Sequence, residues 1–231
     1  MKKTATIFSL AALLSCGGSK EPSTTGNQDA AADKAVEMTN GASAAAPVET
    51  VSDFKKYDIK SGIVTFETKM EMSGMVIKKK SILYFDDYGI KECEEQYDVD
   101  AATGKEVLTD RNFVKDGYHY ICSVENKGGI KTKQNGYGVA ALFNMSEAES
   151  MKENKFKKLP DETVCGKVCN AFSMETPSGK ISMCGWNRIV LKTRVENESM
   201  KTETVAKTIS ENATIPGDKF EVPNGVKITE Q

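Results

Sequence analysis

The chain has little histidine, few aromatic residues and no long apolar run. Its single histidine, His119, excludes multi-histidine metal sites and weakens any histidine-based catalytic unit. No apolar run reaches the roughly 18 residues that would span a bilayer as a helix. The 31 basic and 33 acidic side chains give a net charge of −2, which argues against the basic stripe of a nucleic-acid-binding protein.

Motifs that support common enzyme chemistry are also missing. The sequence contains no Gly-rich phosphate loop, no nucleophile elbow and no Cys-x-x-Cys pair. His119 alternates with Tyr118 and Tyr120 on a predicted strand, so it is expected to face solvent, opposite to Cys122 three residues on. We therefore expect a protein that is not an enzyme and that has no catalytic residues, no cofactor and no metal site.

The N-terminus carries the features of a secretion signal. Two lysines precede an apolar stretch, Ala5 to Leu14, which has the length of a signal-peptide core. It ends in Leu13-Leu14-Ser15-Cys16, which resembles the bacterial lipobox, where the cysteine receives a diacylglyceryl thioether and becomes the first mature residue. The resemblance implies a signal peptide over residues 1–15 and lipidation of Cys16. The alternative is an ordinary secretory signal with a chance cysteine.

The residues after Cys16 bear on location. In enterobacterial lipoproteins, an aspartate directly after the lipidated cysteine resembles an inner-membrane retention signal. Gly17 occupies this position here, and the absence of aspartate implies sorting to the outer membrane. Ser19-Lys20-Glu21 is similar to the short charged export tags of surface lipoproteins. We expect a protein attached to the outer membrane by the lipid on Cys16. Whether it faces the periplasm or the cell surface stays open.

Residues 16–50 are predicted to be the lipidated N-terminus followed by a disordered tether. Residues 20–50 contain eight alanines, interspersed with Ser, Thr, Gly, Asn and Pro, and no aromatic residue. So little apolar surface cannot offset the entropy of ordering the chain. Residues 51–231, which are richer in aromatic and β-branched residues, are predicted to form a single β-rich domain.

Residues 51–231 alternate between apolar and polar residues at the period of β-strands. Val64, Phe66, Met70 and Met72 share one parity, and turn sequences recur every 8–12 residues. Five strands, a Gly-rich loop or short hairpin at 126–138, a helical insert at 139–154 and about five further strands follow in order. Because a sheet of this size curls, the predicted fold is mainly β: a single antiparallel, strongly curved, half-barrel-like sheet of about ten strands with a short helical insert.

Two resemblances support this fold. A strongly curved sheet over a helical insert resembles the open half-barrel of lipoprotein-sorting and carrier proteins. More narrowly, residues 159–228 resemble the uncharacterised DUF4412-type domains. The matching residues are Leu159-Pro160 to Thr163, Gly166 to Cys169, Trp186, Ile189-x-Leu191-Lys192 and Phe220 to Val226. This resemblance implies a fold and an envelope location rather than an activity.

The hairpin before Trp186 gives the sharpest local prediction. If Glu175 pairs with Lys180 across the turn at 176–179, then Phe172 faces Met183 and the apolar parities of the two strands coincide. In this register Cys169 and Cys184 are diagonal neighbours on one face, which makes them the candidate disulfide. The alternative is that the five cysteines after Cys16 are all reduced. Those cysteines are Cys93, Cys122, Cys165, Cys169 and Cys184.

Two classes of function remain. The first is a lipid-anchored binding protein whose curved sheet holds lipid or another apolar ligand in a pocket lined by Val64, Phe66, Met70, Phe172 and Met183. The second is a structural or protein-interaction lipoprotein with an unknown protein partner. The acidic residues between Asp86 and Asp100 are interpreted as a solvated hairpin, because their spacing does not match a calcium-binding loop.

Overall fold

The computed structural model describes residues 55–134, 156–177 and 179–230. All of these belong to one compact unit, Ser52–Gln231. Cys16, the predicted tether and the predicted helical insert at 139–154 lie outside the described residues.

The described residues form twelve strands in one sheet. Strands β1 to β6 follow one another along the chain and pair consecutively, and β7 to β11 do the same. The strands are β1 Gly62–Met72, β2 Met75–Asp86, β3 Lys91–Val99, β4 Glu106–Lys115, β5 Tyr118–Ser123, β6 Gly128–Lys133, β7 Lys157–Val164, β8 Lys167–Thr176, β9 Gly179–Trp186, β10 Ile189–Glu196, β11 Met200–Glu211 and β12 Lys227–Glu230.

The two runs of strands join through β1 and β11, which pair antiparallel along their whole length from Gly62↔Glu211 to Met72↔Met200. The sheet order is β12-β6-β5-β4-β3-β2-β1-β11-β10-β9-β8-β7, so β12 and β7 are its unpaired edges. The sheet is therefore not closed. Its last strand, β12, lies parallel to β6, whereas the other pairs are antiparallel.

The predicted fold class is confirmed, but the strand count is twelve rather than ten. One additional strand is β6, in the segment predicted as a loop or short hairpin. Another arises because Val164 and Val168, assigned to one strand, lie on β7 and β8 on either side of a turn. Cys165 has φ +50° and Gly166 φ +73° in that turn, a conformation that alternation of apolar residues does not reveal.

The sheet is strongly curved at its C-terminal side. The Cys165 thiol, in the turn between β7 and β8, lies 2.9 Å from the carbonyl oxygen of Ala206 on β11. Lys167 on β8 pairs with Glu211 on β11 at 2.5 Å. In a flat sheet, elements three to four strands apart would be separated by roughly 14–19 Å, so the strands curl back towards β11.

Two apolar clusters hold the sheet together. Core 1 joins the segment before β1 to both halves of the sheet. Core 2 lies over β2 to β5 and is covered by residues 213–228. The buried members of core 1 are Tyr57, Ile59, Val64, Phe66, Phe85, Val164, Cys169, Ala171, Cys184, Ile189, Leu191 and Ala206, and those of core 2 are Tyr84, Cys93, Phe113 and Cys122.

The segment between β11 and β12 crosses core 2 and is held by a buried carboxylate. Glu95 on β3 is 1% exposed. It accepts hydrogen bonds from Arg111 (2.6 and 3.0 Å) and from Lys219 in the crossing segment (3.0 Å). Tyr97 and Tyr84 hydroxyls also donate to it, at 2.7 and 3.2 Å. The prediction of a solvated acidic hairpin is therefore wrong for Glu95.

Helical structure among the described residues is limited to two short 3-10 helices, Asp87–Gly89 and Gly217–Phe220. Within this part of the chain, no helix is both long enough and apolar enough to cross a membrane.

Candidate ligand-binding face

Cross-strand pairing brings two rows of side chains onto one face of the sheet. Directly paired residues of antiparallel strands point to the same face. One row runs from Thr68 on β1 through β11, β10 and β9 to Phe172 on β8, and the next runs from Met70 to Met174. We name these rows the Thr–Met face. Its members are Thr68, Met70, Phe172, Met174, Ile181, Met183, Thr193, Val195, Thr202 and Thr204.

Every member of the Thr–Met face is half-buried. Apolar side chains flank a central group of threonines: Met70 lies on one side, and Phe172 and Met183 lie on the other. The face thus combines adaptable methionine surface with a hydroxyl-bearing centre.

The hydroxyls at the centre are not all satisfied. The Thr68 and Thr204 hydroxyl oxygens lie 2.8 Å apart and share a hydrogen bond. The Thr202 hydroxyl oxygen is buried and has no hydrogen-bond partner. Burying a polar group without a partner costs about 1–3 kcal/mol, so the Thr202 hydroxyl is an unsatisfied polar group beneath the centre of the face.

The five residues predicted to line an apolar pocket have two different environments. Met70, Phe172 and Met183 belong to the Thr–Met face, and Phe172 pairs directly with Met183 as expected. Val64 and Phe66 have the same strand parity as Met70, but they are packed in core 1 with 0% and 8% exposure. Only the first three remain accessible to a ligand.

Sequence reasoning missed the other members of the face. Thr202 and Thr204 alternate with Lys201 and Glu203 on β11, but threonine on a strand is not a distinctive ligand-binding signal. Their importance comes from the pairing of β1 with β11, two strands more than 120 residues apart in the sequence. No local pattern predicts that pairing.

A disulfide stiffens the face from behind. Cys169 and Cys184 are bonded, with their Cα atoms 5.5 Å apart, and the predicted register of the hairpin is present. Cys184 follows Met183 on β9, so the two side chains point to opposite faces. The buried parity on β8 is Cys169, Ala171 and Ser173, whereas Val168 is 67% exposed, which corrects the predicted inward parity of this strand.

The acidic residues of the β2–β3 region are dispersed among separate partners. Glu92 pairs with Lys56 at 2.6 Å and accepts from the Tyr57 hydroxyl, while Asp98 pairs with Lys79 at 3.0 Å. Burial raises the pKa of Glu94, only partly opposed by a hydrogen bond from Ser81. Within the described ranges, no three His, Cys, Asp or Glu residues are grouped to hold a metal ion.

The remaining side chains that could be reactive are the free cysteines and His119. Burial raises the pKa of the Cys93 thiol to about 12 and also raises that of Cys122, so neither is a thiolate at neutral pH. His119, which was predicted to face solvent, is half-buried, and burial lowers its pKa. Cys165 is the exposed free thiol among the described cysteines.

Comparison with known proteins gives a likeness of architecture. No protein-family model matches the chain, so the resemblance to DUF4412-type domains gains no support. No curated protein matches it either. Among solved structures, an uncharacterized conserved protein from Thermus thermophilus has a TM-score of 0.48 at 4% identity, with 74% of this chain and 91% of that chain covered.

Two further solved structures align with most of the chain. The Pseudomonas aeruginosa MucA/MucB complex has a TM-score of 0.44 at 11% identity, covering 73% of this chain and 58% of that chain. A candidate outer membrane lipoprotein-sorting protein domain from Vibrio parahaemolyticus has a TM-score of 0.34 at 10% identity, covering 70% and 89%. With TM-scores below 0.5, the function has to be argued from this chain's own residues.

Proposed function

We propose that this protein is a lipid-anchored envelope protein that binds an apolar ligand, such as an acyl chain, on the Thr–Met face. The supporting observation is the two-row arrangement of half-buried methionine, phenylalanine and threonine side chains across five strands. Such a face offers accessible apolar surface, from Met70, Phe172 and Met183, for an acyl chain. The proposed role is non-enzymatic and needs no cofactor.

The anchor is the second part of the proposal. Cys16 would carry the lipid, and the segment up to residue 50 would let the sheet reach ligands at the membrane surface. Two or three acyl chains hold a protein firmly, because each buried CH₂ contributes about 0.8 kcal/mol. The outer membrane is the proposed site of attachment, on either its periplasmic or its outer surface.

A charge placed on the Thr–Met face is expected to remove the ligand. The full chain and a Met183→Asp variant would be purified in parallel, and molecules extracted with organic solvent would be quantified by mass spectrometry. We expect at least a tenfold loss of co-purifying apolar molecules, because burying an uncompensated carboxylate against an acyl chain costs well over the roughly 1.4 kcal/mol that equals tenfold.

The matched control is Val107→Asp, since Val107 is 51% exposed on β4, a strand that contributes nothing to the face. This variant is expected to retain the ligand. Equal ligand content in the two variants, or an empty wild-type protein, would contradict binding on the Thr–Met face. An empty protein would favour the structural or protein-interaction role.

Replacing Cys16 is expected to release the protein from the envelope. The Cys16→Ser variant should lack the acyl mass and move from the membrane fraction to the soluble fraction, because the apolar stretch before it is too short to span a bilayer. Intact-mass measurement and cell fractionation test this. Cys165→Ser, which removes an exposed thiol instead, should stay in the membrane fraction. Membrane retention of unacylated Cys16→Ser would refute the anchor.

A further inference from the structure

The tip of the β1–β2 hairpin concentrates the exposed apolar surface of the described chain. Six large hydrophobic residues in the described ranges are exposed, and three of them lie at this tip: Met72 at 38%, Met75 at 57% and Val76 at 55%. The other three are scattered singly over β4, β5 and β8. Single exposed apolar residues are ordinary, but a cluster indicates a contact surface.

The tip projects beyond its neighbour in the sheet. The pairing of β3 with β2 begins at Lys79↔Asp98, and β3 ends one residue later at Val99, so Met75 to Ile77 extend past the end of β3. The turn is tight, with Ser73 at φ +50° and Gly74 at φ +80°. On the other side, Met72 pairs with Met200. Methionines from three strands, Met72, Met75 and Met200, therefore meet beside a two-residue turn, where the hairpin extends past β3 and ends level with β11.

Lysines lie immediately behind the apolar tip. Residues 69–80 contain Lys69, Lys78, Lys79 and Lys80 against a single acidic residue, Glu71. Glu71 pairs with Lys69, while Lys79 and Lys80 pair with Asp98 and Glu106. Lys78 forms no ion pair within the described part of the chain.

The position of Lys78 is unfavourable in free solution. It stands directly opposite Lys69 across the hairpin, and the nearby acidic residues, Glu71 and Glu203, lie beside Lys69 on β1 and β11. Like charges placed directly opposite on antiparallel strands destabilise the pair. An anionic surface next to the tip would remove this penalty, and each lysine near an anionic membrane contributes about 1 kcal/mol to binding.

We infer that the β1–β2 hairpin tip inserts Met72, Met75 and Val76 into the surface of an anionic bilayer, with Lys69 and Lys78 at the level of the lipid headgroups. Apolar side chains ahead of basic ones match the polarity gradient of a membrane interface. The inference rests on the membrane location in the proposed function. It adds a second attachment point, which would orient the sheet and its Thr–Met face relative to the membrane.

Tryptophan quenching by brominated lipids tests the contact. The full chain with Met75→Trp would be incorporated into vesicles of phosphatidylethanolamine and phosphatidylglycerol with brominated acyl chains. The unmodified chain, with Trp186 as its single tryptophan, gives the background. Val168→Trp is the matched control, because Val168 is similarly exposed, at 67%. Its neighbour Lys167 pairs with Glu211, which faces Gly62 at the end of β1 opposite to the tip.

We expect Met75→Trp to be quenched severalfold more strongly than the unmodified chain, with a blue-shifted emission, and Val168→Trp to stay at the level of the unmodified chain. Adding Lys69→Glu and Lys78→Glu to Met75→Trp should reduce quenching to the control level, as should phosphatidylcholine vesicles. Equal quenching at both positions would overturn the inference. So would quenching of Met75→Trp that is unaffected by the lysine substitutions and by phosphatidylcholine vesicles. A protein partner would then be the occupant of the hairpin tip.

The outcomes separate this inference from the proposed ligand-binding function. Quenched Met75→Trp in a protein that carries no co-purifying apolar molecule supports the tip and refutes the ligand. Unquenched Met75→Trp in a protein that floats with vesicles and carries a ligand refutes only the tip. A protein that does not float with vesicles refutes both the anchor and the tip.

Discussion

We expect Glu95→Gln to lower the free energy of unfolding by about 3 kcal/mol, the lower end of the range for removing one partner of a buried ion pair. Glu95 is 1% exposed, and the side chains of Arg111 and Lys219 are 12% and 19% exposed. Glutamine keeps the volume but leaves both cations without a counter-charge. The expected loss is at the low end because the cations retain some contact with water.

Loss of Glu95 would act first on the segment that crosses core 2. Lys219 lies in that segment, and Arg111 also donates to the carbonyl oxygens of Asp218 and Glu221, at 3.0 and 3.4 Å. The same carboxylate therefore holds β3, β4 and the crossing segment together. Hydrogen exchange in Glu95→Gln should rise earliest in β12 and residues 213–226, because these depend on the crossing segment.

The matched control is Glu221→Gln. Glu221 pairs with Lys115 at 2.6 Å, but its side chain is 60% exposed. Exposed pairs contribute about 0–1 kcal/mol, so chemical denaturation should show little change. A loss of stability in Glu221→Gln equal to that in Glu95→Gln would contradict a special role for the buried carboxylate.

The same group makes stability depend on pH. Burial raises the pKa of Glu95, but hydrogen bonds from Tyr97, Lys219 and Arg111 outweigh that effect, so its net pKa is below the ordinary value. A lowered folded-state pKa gives stability that is present above the unfolded pKa of about 4.3 and is lost as pH falls through the folded pKa. The difference in stability between wild type and Glu95→Gln should therefore begin to narrow as pH falls below about 4.3 and should vanish below the folded-state pKa.

The second large effect is expected from the Cys169–Cys184 disulfide. A double Cys169→Ala, Cys184→Ala variant should lose about 3 kcal/mol, the loop-entropy value for a loop of about this length. The two cysteines are 15 residues apart, and both are buried at 1% exposure. Alanine avoids adding a buried hydroxyl. Urea unfolding with and without reductant measures the difference.

Cys165→Ala is the control for this prediction, because Cys165 is exposed and outside the disulfide. It should unfold like wild type, and reductant should destabilise both equally. Reductant should leave the double variant unchanged. Non-reducing peptide mapping that links Cys165 to Cys169 would contradict both the disulfide and the strand assignment. A link between Cys93 and Cys122 would contradict the strand assignment of β3 to β5.

Local patterns predicted the hairpin of β8 and β9 well but its burial badly. The turn at 176–179 and the coincident apolar parities led to the pairs Phe172↔Met183 and Glu175↔Lys180, which the structure contains. Yet Cys169 and Ala171 face core 1, while Phe172 is half-buried on the Thr–Met face. Small side chains occupy the closely packed face because the sheet curls back there, and hydrophobicity alone does not report curvature.

The amino-acid sequence by itself determined the class of fold: alternating residues and frequent turns dictate antiparallel strands, because each strand's pattern and each turn's chemistry are local properties. The register of the β8–β9 hairpin followed for the same reason, and that register made Cys169–Cys184 the candidate disulfide, which the structure contains. Tertiary structure alone decided the pairing of β1 with β11, the burial of Glu95 and the assembly of the Thr–Met face. Each depends on contacts between residues far apart in the chain, and the free energy of such contacts depends on the packing of the whole sheet.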